Sequence, residues 1–211
     1  TSVYGAYYAE LNALAGKLII RYPANKEVID LYAHHLFASG KAADAVALYK
    51  QNLDNERATR DDYGKIIEIE GYLDRPDSAA RYLAMALRRF PDDAAMCAQQ
   101  GNLHILAKRY GEAVASYREA IKYAQNDTLR SELWGFIGDA EHQRGDMKRC
   151  YAAYKRALGL NADNASVLNN YAYSLSIEGH DLERALAMAT RANAVSGNNP
   201  TFLDTQAWVL Y

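Results

Sequence analysis

The chain has 211 residues, half of them apolar, 24% charged and only four proline, a balance that excludes a disordered or collagen-like chain and calls for packed helices. Its 24 basic and 26 acidic side chains are mixed along the sequence for a net charge of −2, so no basic stripe invites nucleic acid or a membrane surface. No apolar run approaches the ~18 residues of a membrane span, and Thr1 to Leu14 lack the basic start and apolar stretch of a signal peptide.

In chain order, residues 1–25 read as one helix closed by Tyr22-Pro23. Residues 26–59 hold an apolar stripe at Ile29, Leu31, Tyr32 and Leu36, a break at Ser39-Gly40-Lys41, and a second stripe at Ala45, Tyr49 and Asn52. Residues 60–93 repeat this with Tyr63, Ile66 and Ile67, the turn Leu73-Asp74-Arg75-Pro76, then Ala79, Leu83 and Ala86, and close on Phe90-Pro91-Asp92-Asp93. Residues 94–127 have Leu103, a break from Lys108 to Gly111, and Ala113, Tyr117 and Ala120. After an insertion at Thr128-Leu129-Arg130, residues 131–164 bring Trp134 and Ile137, the turn Arg144-Gly145-Asp146, and Cys150, Tyr154 and Ala157. Residues 165–199 carry Leu168, Tyr171 and Leu175, a turn from Glu178 to Asp181, Ala185, Ala189 and Ala192, and a stop at Gly197-Asn198-Asn199-Pro200. Residues 200–211 supply a first helix alone. Each i, i+4, i+7 stripe is one helical face, so every full unit predicts two helices.

Ala45, Ala79 and Ala113 stand 34 residues apart, and Cys150 and Ala185 continue the series at gaps of 37 and 35. A period of this size belongs to helix pairs that bury a shared core only by stacking. Trp134-x2-Ile137-Gly138-x2-Glu141, followed by Cys150-x3-Tyr154-x2-Ala157, resembles the tetratricopeptide repeat, W-x2-L-G-x2-Y then A-x3-F and A, with Glu141 at the tyrosine position and Cys150 at the alanine. The close-approach glycine recurs at Gly101 and Gly138 but is Ala33, Ile67, Ala172 and Ala207 elsewhere, and Ile67 predicts looser packing in its unit. The resemblance covers nearly the whole chain. It implies one all-α domain over 1–211, a right-handed superhelical solenoid of antiparallel helix pairs. The stretch from Asn169 to Tyr211 is similar to the last repeats of long bacterial members, some envelope-associated, which implies a bacterial source and favours a periplasmic or envelope location over the cytoplasm.

No G-x-x-x-x-G-K-[ST], G-x-S-x-G, H-E-x-x-H or C-x-x-C occurs, so no enzymatic activity, catalytic residue, metal or cofactor is expected. His34 and His35 are adjacent and point about 100° apart on a helix, while His104, His142 and His180 lie in separate units. Cys97 and Cys150 fall on core phases, where cysteine acts as a small hydrophobe. Asp61-Asp62 and Asp92-Asp93 sit at helix starts, where the dipole favours acids. Of 17 tyrosines, Tyr49, Tyr117, Tyr154 and Tyr171 take core phases, whereas Tyr72 and Tyr173 face the inner curve.

First helices line the concave face of such a solenoid, which in the tetratricopeptide family holds an extended peptide or a helix. Counting nine residues into each unit gives His34, Glu68, Asn102, Asp139, Tyr173 and Trp208, and adjoining phases add Asp30, Phe37, Tyr72, Ile105, His142, Asn169, Ile177 and Asp204. The family's carboxylate clamp needs lysine and asparagine at fifth positions, which here read Asp30, Gly64, Ala98, Gly135, Asn169 and Asp204. An acidic and aromatic lining instead predicts a protein or peptide partner with basic and aromatic or aliphatic side chains. The expected function is a non-catalytic interaction scaffold. Two other readings are the recognition domain of a larger enzyme and a self-assembly module. The chain starts at Thr1 and stops inside a unit, so it is expected to be a piece of a longer protein, or else to form a homodimer through its exposed C-terminal helix.

Overall fold

The computed structural model describes residues 3–53, 58–197 and 199–211, and among them twelve α-helices and no strand. Two compact units divide the chain, Thr1–Pro91 and Asp92–Tyr211. The first contains α1 (Val3–Arg21), α2 (Lys26–Ala38), α3 (Ala42–Leu53), α4 (Arg60–Tyr72) and α5 (Pro76–Arg89). The second contains α6 (Ala94–Leu106), α7 (Tyr110–Tyr123), α8 (Asp127–Gln143), α9 (Met147–Leu160), α10 (Ala165–Ile177), α11 (Leu182–Ser196) and α12 (Pro200–Leu210). Asn198, read as part of the turn before Pro200, lies outside the described residues. The insertion Thr128-Leu129-Arg130 adds a turn to α8, which runs 17 residues where α6 and α10 run 13.

Helices start in two different ways. The even-numbered ones follow an Asn, Asp or Thr whose side chain accepts a first-turn N–H: Asn25 from Val28, Thr59 from Asp62, Asp93 from Met96, Asn126 from Leu129, Asn164 from Val167 and Asn199 from Thr201. Each cap is worth about 1 kcal/mol. By contrast α5, α7 and α11 have no side-chain cap, because the turn that ends one helix of a pair launches the next. Gly40, Asp74, Lys108, Gly145 and Gly179 all have φ between 54° and 78°. The following N–H returns to a carbonyl five residues back, Lys41 to Leu36, Arg75 to Glu70, Arg109 to His104, Asp146 to Glu141 and His180 to Leu175, at 2.8–3.0 Å. This left-handed cap satisfies last-turn carbonyls that would otherwise be orphaned. Glycine adopts it freely; Asp74 and Lys108 do so against their Cβ atoms.

Small residues set the spacing within pairs. Ala45, Ala79, Ala113, Cys150 and Ala185 are fully buried or nearly so, together with Tyr49, Leu83, Tyr117 and Tyr154. A Cβ added to Gly101 would stand 2.4 Å from the Tyr117 ring, and one on Gly138 would stand 2.4 Å from Tyr154. Glycine is therefore what lets Tyr117 and Tyr154 cross so closely, whereas in the α2–α3 pair Ala33 takes the corresponding place with Tyr49. The looser packing expected at Ile67 agrees with its own partial exposure and with α4 and α5 meeting less extensively than the other helix pairs, although Ile66 and Leu83 beside it are wholly buried, a leucine replacing the tyrosine where isoleucine replaces the glycine.

Candidate binding groove

Three adjoining cavities run through the second unit. One of about 330 Å³ is lined by Asn102, Ile105, Tyr110, Tyr117, Phe136, Asp139 and Gln143. The next, of about 230 Å³, shares Asp139 and Gln143 and adds His142, Tyr154, Asn170, Tyr173 and Ser174. The third, of about 430 Å³, shares Tyr173 and adds Asp204, Trp208 and Tyr211 among others. Asn102, Ile105, Asp139, His142, Tyr173, Asp204 and Trp208, seven of the residues expected on a groove, are thus brought onto one continuous lining. Asn169 is not: it is buried and donates to Asn170 Oδ1 at 3.2 Å, and Asn170 lines the cavity in its place. Ile177 is exposed at the end of α10.

Asp139 is the chemical centre of this lining. Its Oδ1 accepts from the Tyr154 hydroxyl at 2.7 Å and from Asn170 Nδ2 at 3.0 Å, while Oδ2 accepts no hydrogen bond among the described residues. Burial pushes the carboxyl above the usual carboxylate range, and the two hydrogen bonds and the His142 charge pull it back only in part. No lysine or arginine is among the groups that act on it. A carboxylate in that position lacks the cation that burial ordinarily demands. The phenols around it stay neutral: burial pushes Tyr117 up to about 12 and Tyr154 higher.

The first unit treats its acids differently. Phe37 and Tyr72 meet edge to face at 5.3 Å, Tyr72 is 70% exposed, and His34 on α2 and Glu68 on α4 are exposed as well. Asp62 is wholly buried, bound by Lys26 and by Asn52 Nδ2 at 3.1 Å, and it completes a capping box with Thr59 at 2.7 Å. Asp30 belongs to the same network, accepting from Asn52 at 3.0 Å and from Lys26 at 3.1 Å. Burial pushes Asp62 up, but the bonds from Lys26 and Thr59 outweigh it and hold it below its ordinary value. Glu70, equally buried, is likewise held down by Lys50 at 2.9 Å. Sequence reading missed this network; its one signal is Asn52, an amide at a phase where other units carry alanine, which a core tolerates only with partners.

Among the described residues no three His, Cys, Asp or Glu side chains gather as a metal-binding group, and no helix is long and apolar enough to cross a membrane. Burial pushes the Cys150 thiol up to about 12, which suppresses the thiolate a nucleophile needs.

The sequence matches the tetratricopeptide repeat family over residues 8–203. No curated protein sequence matches it. Among solved structures it is similar to the Cut9–Hcn1 hetero-tetramer of APC/C, with a TM-score of 0.70 and 18% identity over 97% of this chain and 40% of that one. It is also similar to PilF of Pseudomonas aeruginosa, with a TM-score of 0.68 and 18% identity over 96% of this chain and 90% of that one. YrrB, a tetratricopeptide protein with an unusual peptide-binding site, gives a TM-score of 0.64 and 15% identity over 92% and 97%. Identities this low show the fold alone. Helix pairs in a 34-residue register, a left-handed cap between partners and a family match across nearly the whole chain lead to one conclusion: this chain belongs to the tetratricopeptide repeat family and has its all-α superhelical repeat fold.

Proposed function

We propose that the chain is a non-catalytic scaffold whose second unit holds an extended peptide segment of a partner protein, with a lysine or arginine seated on Asp139 and apolar side chains against Tyr110, Phe136, Tyr173 and Trp208. The observation that carries this reading is the carboxylate of Asp139, with no lysine or arginine acting on it and open through Oδ2 between two aromatic-lined cavities. The fully buried carboxylates Asp62 and Glu70 already have basic partners, whereas half-buried Asp139 has no lysine or arginine. A ligand that brings its own cation removes that deficit, and the surrounding rings supply the apolar contact that anchors interface hot spots. YrrB supports the class of ligand, because the same fold serves there as a peptide-binding site.

Short fluorescent peptides in which arginine alternates with phenylalanine or leucine test the reading. They are expected to bind more tightly than counterparts with glutamate in place of arginine, and Tyr173→Ala should weaken them by about 2 kcal/mol if that ring is a central anchor. Equal binding of the basic and acidic series would remove the basis for the proposal.

A further inference from the structure

Asp139 occupies one face of α8, and a cavity of opposite character lies on the other. Phe136, Asp139 and Gln143 follow one another at helical spacing on the groove side. Trp134, Ile137 and Glu141 do the same two residues earlier, about 200° round the helix. They line a cavity of about 200 Å³ that α7 and α9 complete with Arg118, Arg149 and Arg156.

The charges there do not cancel. Glu141 is buried and bound by Arg144 at 2.9 Å. Arg149 lies 3.4 Å from Asp146. The guanidiniums of Arg118 and Arg156 sit 6.0 Å and 4.7 Å from the centre of the Trp134 ring, and among the described residues neither has a carboxylate within ion-pair distance. Both lie within cation–π range of the indole, and neither guanidinium is engaged by a hydrogen bond among the described residues. Guanidiniums lining one cavity make its potential positive, and an anion placed there would lower it.

We infer that this cavity is a second binding site, for the carboxylate of a glutamate in an acidic peptide segment. The floor favours a side chain with an apolar stem: Ile137 and Ala153 are buried beneath it, while the arginine forks match a planar carboxylate bidentately. Nucleic acid fits poorly, because the basic residues surround one cavity and do not follow a backbone, on a chain whose net charge is −2. The second unit would then take basic chain on one face of α8 and acidic chain on the other.

Anisotropy of a fluorescein-labelled peptide alternating glutamate and alanine, read against its glutamine counterpart at low salt on the whole chain, tests this. The glutamate peptide should bind more tightly, and Arg118→Ala and Arg156→Ala should each weaken it about tenfold or more. Arg191→Ala removes the same charge from an arginine paired with Asp163 at 2.8 Å and should change binding less than twofold, about the scale of a distant surface charge. Should an alanine variant unfold, Arg156→Lys keeps the charge without the fork and should still lose several-fold. Equal affinity for the two peptides, equal effects of Arg191→Ala and Arg156→Ala, or full affinity in Arg156→Lys would each overturn the site. Displacement by inorganic phosphate at lower concentration than by free glutamate would overturn the carboxylate assignment.

Discussion

The Tyr154 hydroxyl donates to Asp139 across 2.7 Å, and Tyr117 makes the same bond at 2.7 Å to Asn102. In both pairs the tyrosine comes 15 residues after its acceptor, and a glycine, Gly138 or Gly101, immediately precedes that acceptor. The glycine lets the ring cross the first helix, and the hydroxyl then fixes the groove residue beside it. One side chain thereby ties the core to the groove. Tyr154→Phe is expected to cost about 1–2 kcal/mol in urea unfolding and to weaken basic-peptide binding, because Asp139 loses its firmest hydrogen bond. A variant as stable as the parent and equally good at binding would sever that link.

Gly138→Ala should destabilise by about 1–3 kcal/mol, since the new methyl would overlap a ring that cannot move without breaking its hydrogen bond. Combining it with Tyr154→Leu should recover part of the loss, in imitation of Ile67 and Leu83. Strict additivity of the two substitutions in denaturant unfolding would mean that the helices do not negotiate size in this way.

Acid should affect the two units in opposite senses. Asp62 and Glu70 have folded values below their ordinary 3.8 and 4.5, so their stabilisation is present at neutral pH and is lost as pH falls through the folded values. Asp139 has a folded value above 3.8; its cost is present at neutral pH and disappears as pH falls through the folded value towards 3.8. Both tryptophans, Trp134 and Trp208, lie in the second unit, so their fluorescence reports that unit while circular dichroism reports all helices. Between about pH 7 and pH 3.5, the urea midpoint seen by circular dichroism should fall further than the midpoint seen by fluorescence. Identical shifts of the two midpoints would contradict this.

Lys108 holds φ at +55° at a position where three other units use glycine. Lys108→Gly should raise stability by about 1 kcal/mol in thermal or urea unfolding. Loss of stability would mean that the lysine side chain contributes more there than the backbone geometry costs.

Much of this molecule is legible in its sequence because its main devices repeat. The turn residues Gly40, Asp74, Lys108, Gly145 and Gly179 and the small-residue phase from Ala45 to Ala185 need only a 34-residue ruler, with allowance for the insertion at 128–130. The groove phases placed Asp139, His142 and Tyr173 side by side for the same reason. What periodicity does not carry is the pairing of side chains across helices. Asn52 with Asp62, Lys50 with Glu70, and the two arginines on Trp134 depend on rotamers and on which neighbour arrives first. Asn169 and Asn170 differ by one position, and a helical phase argument resolves only about 100° per residue, so it chose the buried one.

A double-mutant cycle between Asp139→Asn and an arginine-to-glutamine change in the basic peptide tests the central claim most directly. The asparagine keeps an Oδ1 for Tyr154 and Asn170 and removes only the charge. If Asp139 receives the peptide's cation, the two changes should be coupled by about 1.5 kcal/mol or more, as for close charge pairs at desolvated interfaces. A coupling within about 0.3 kcal/mol of zero, the range of independent sites, would show that the carboxylate does not meet the cation and that the groove of α8 is not read in this way.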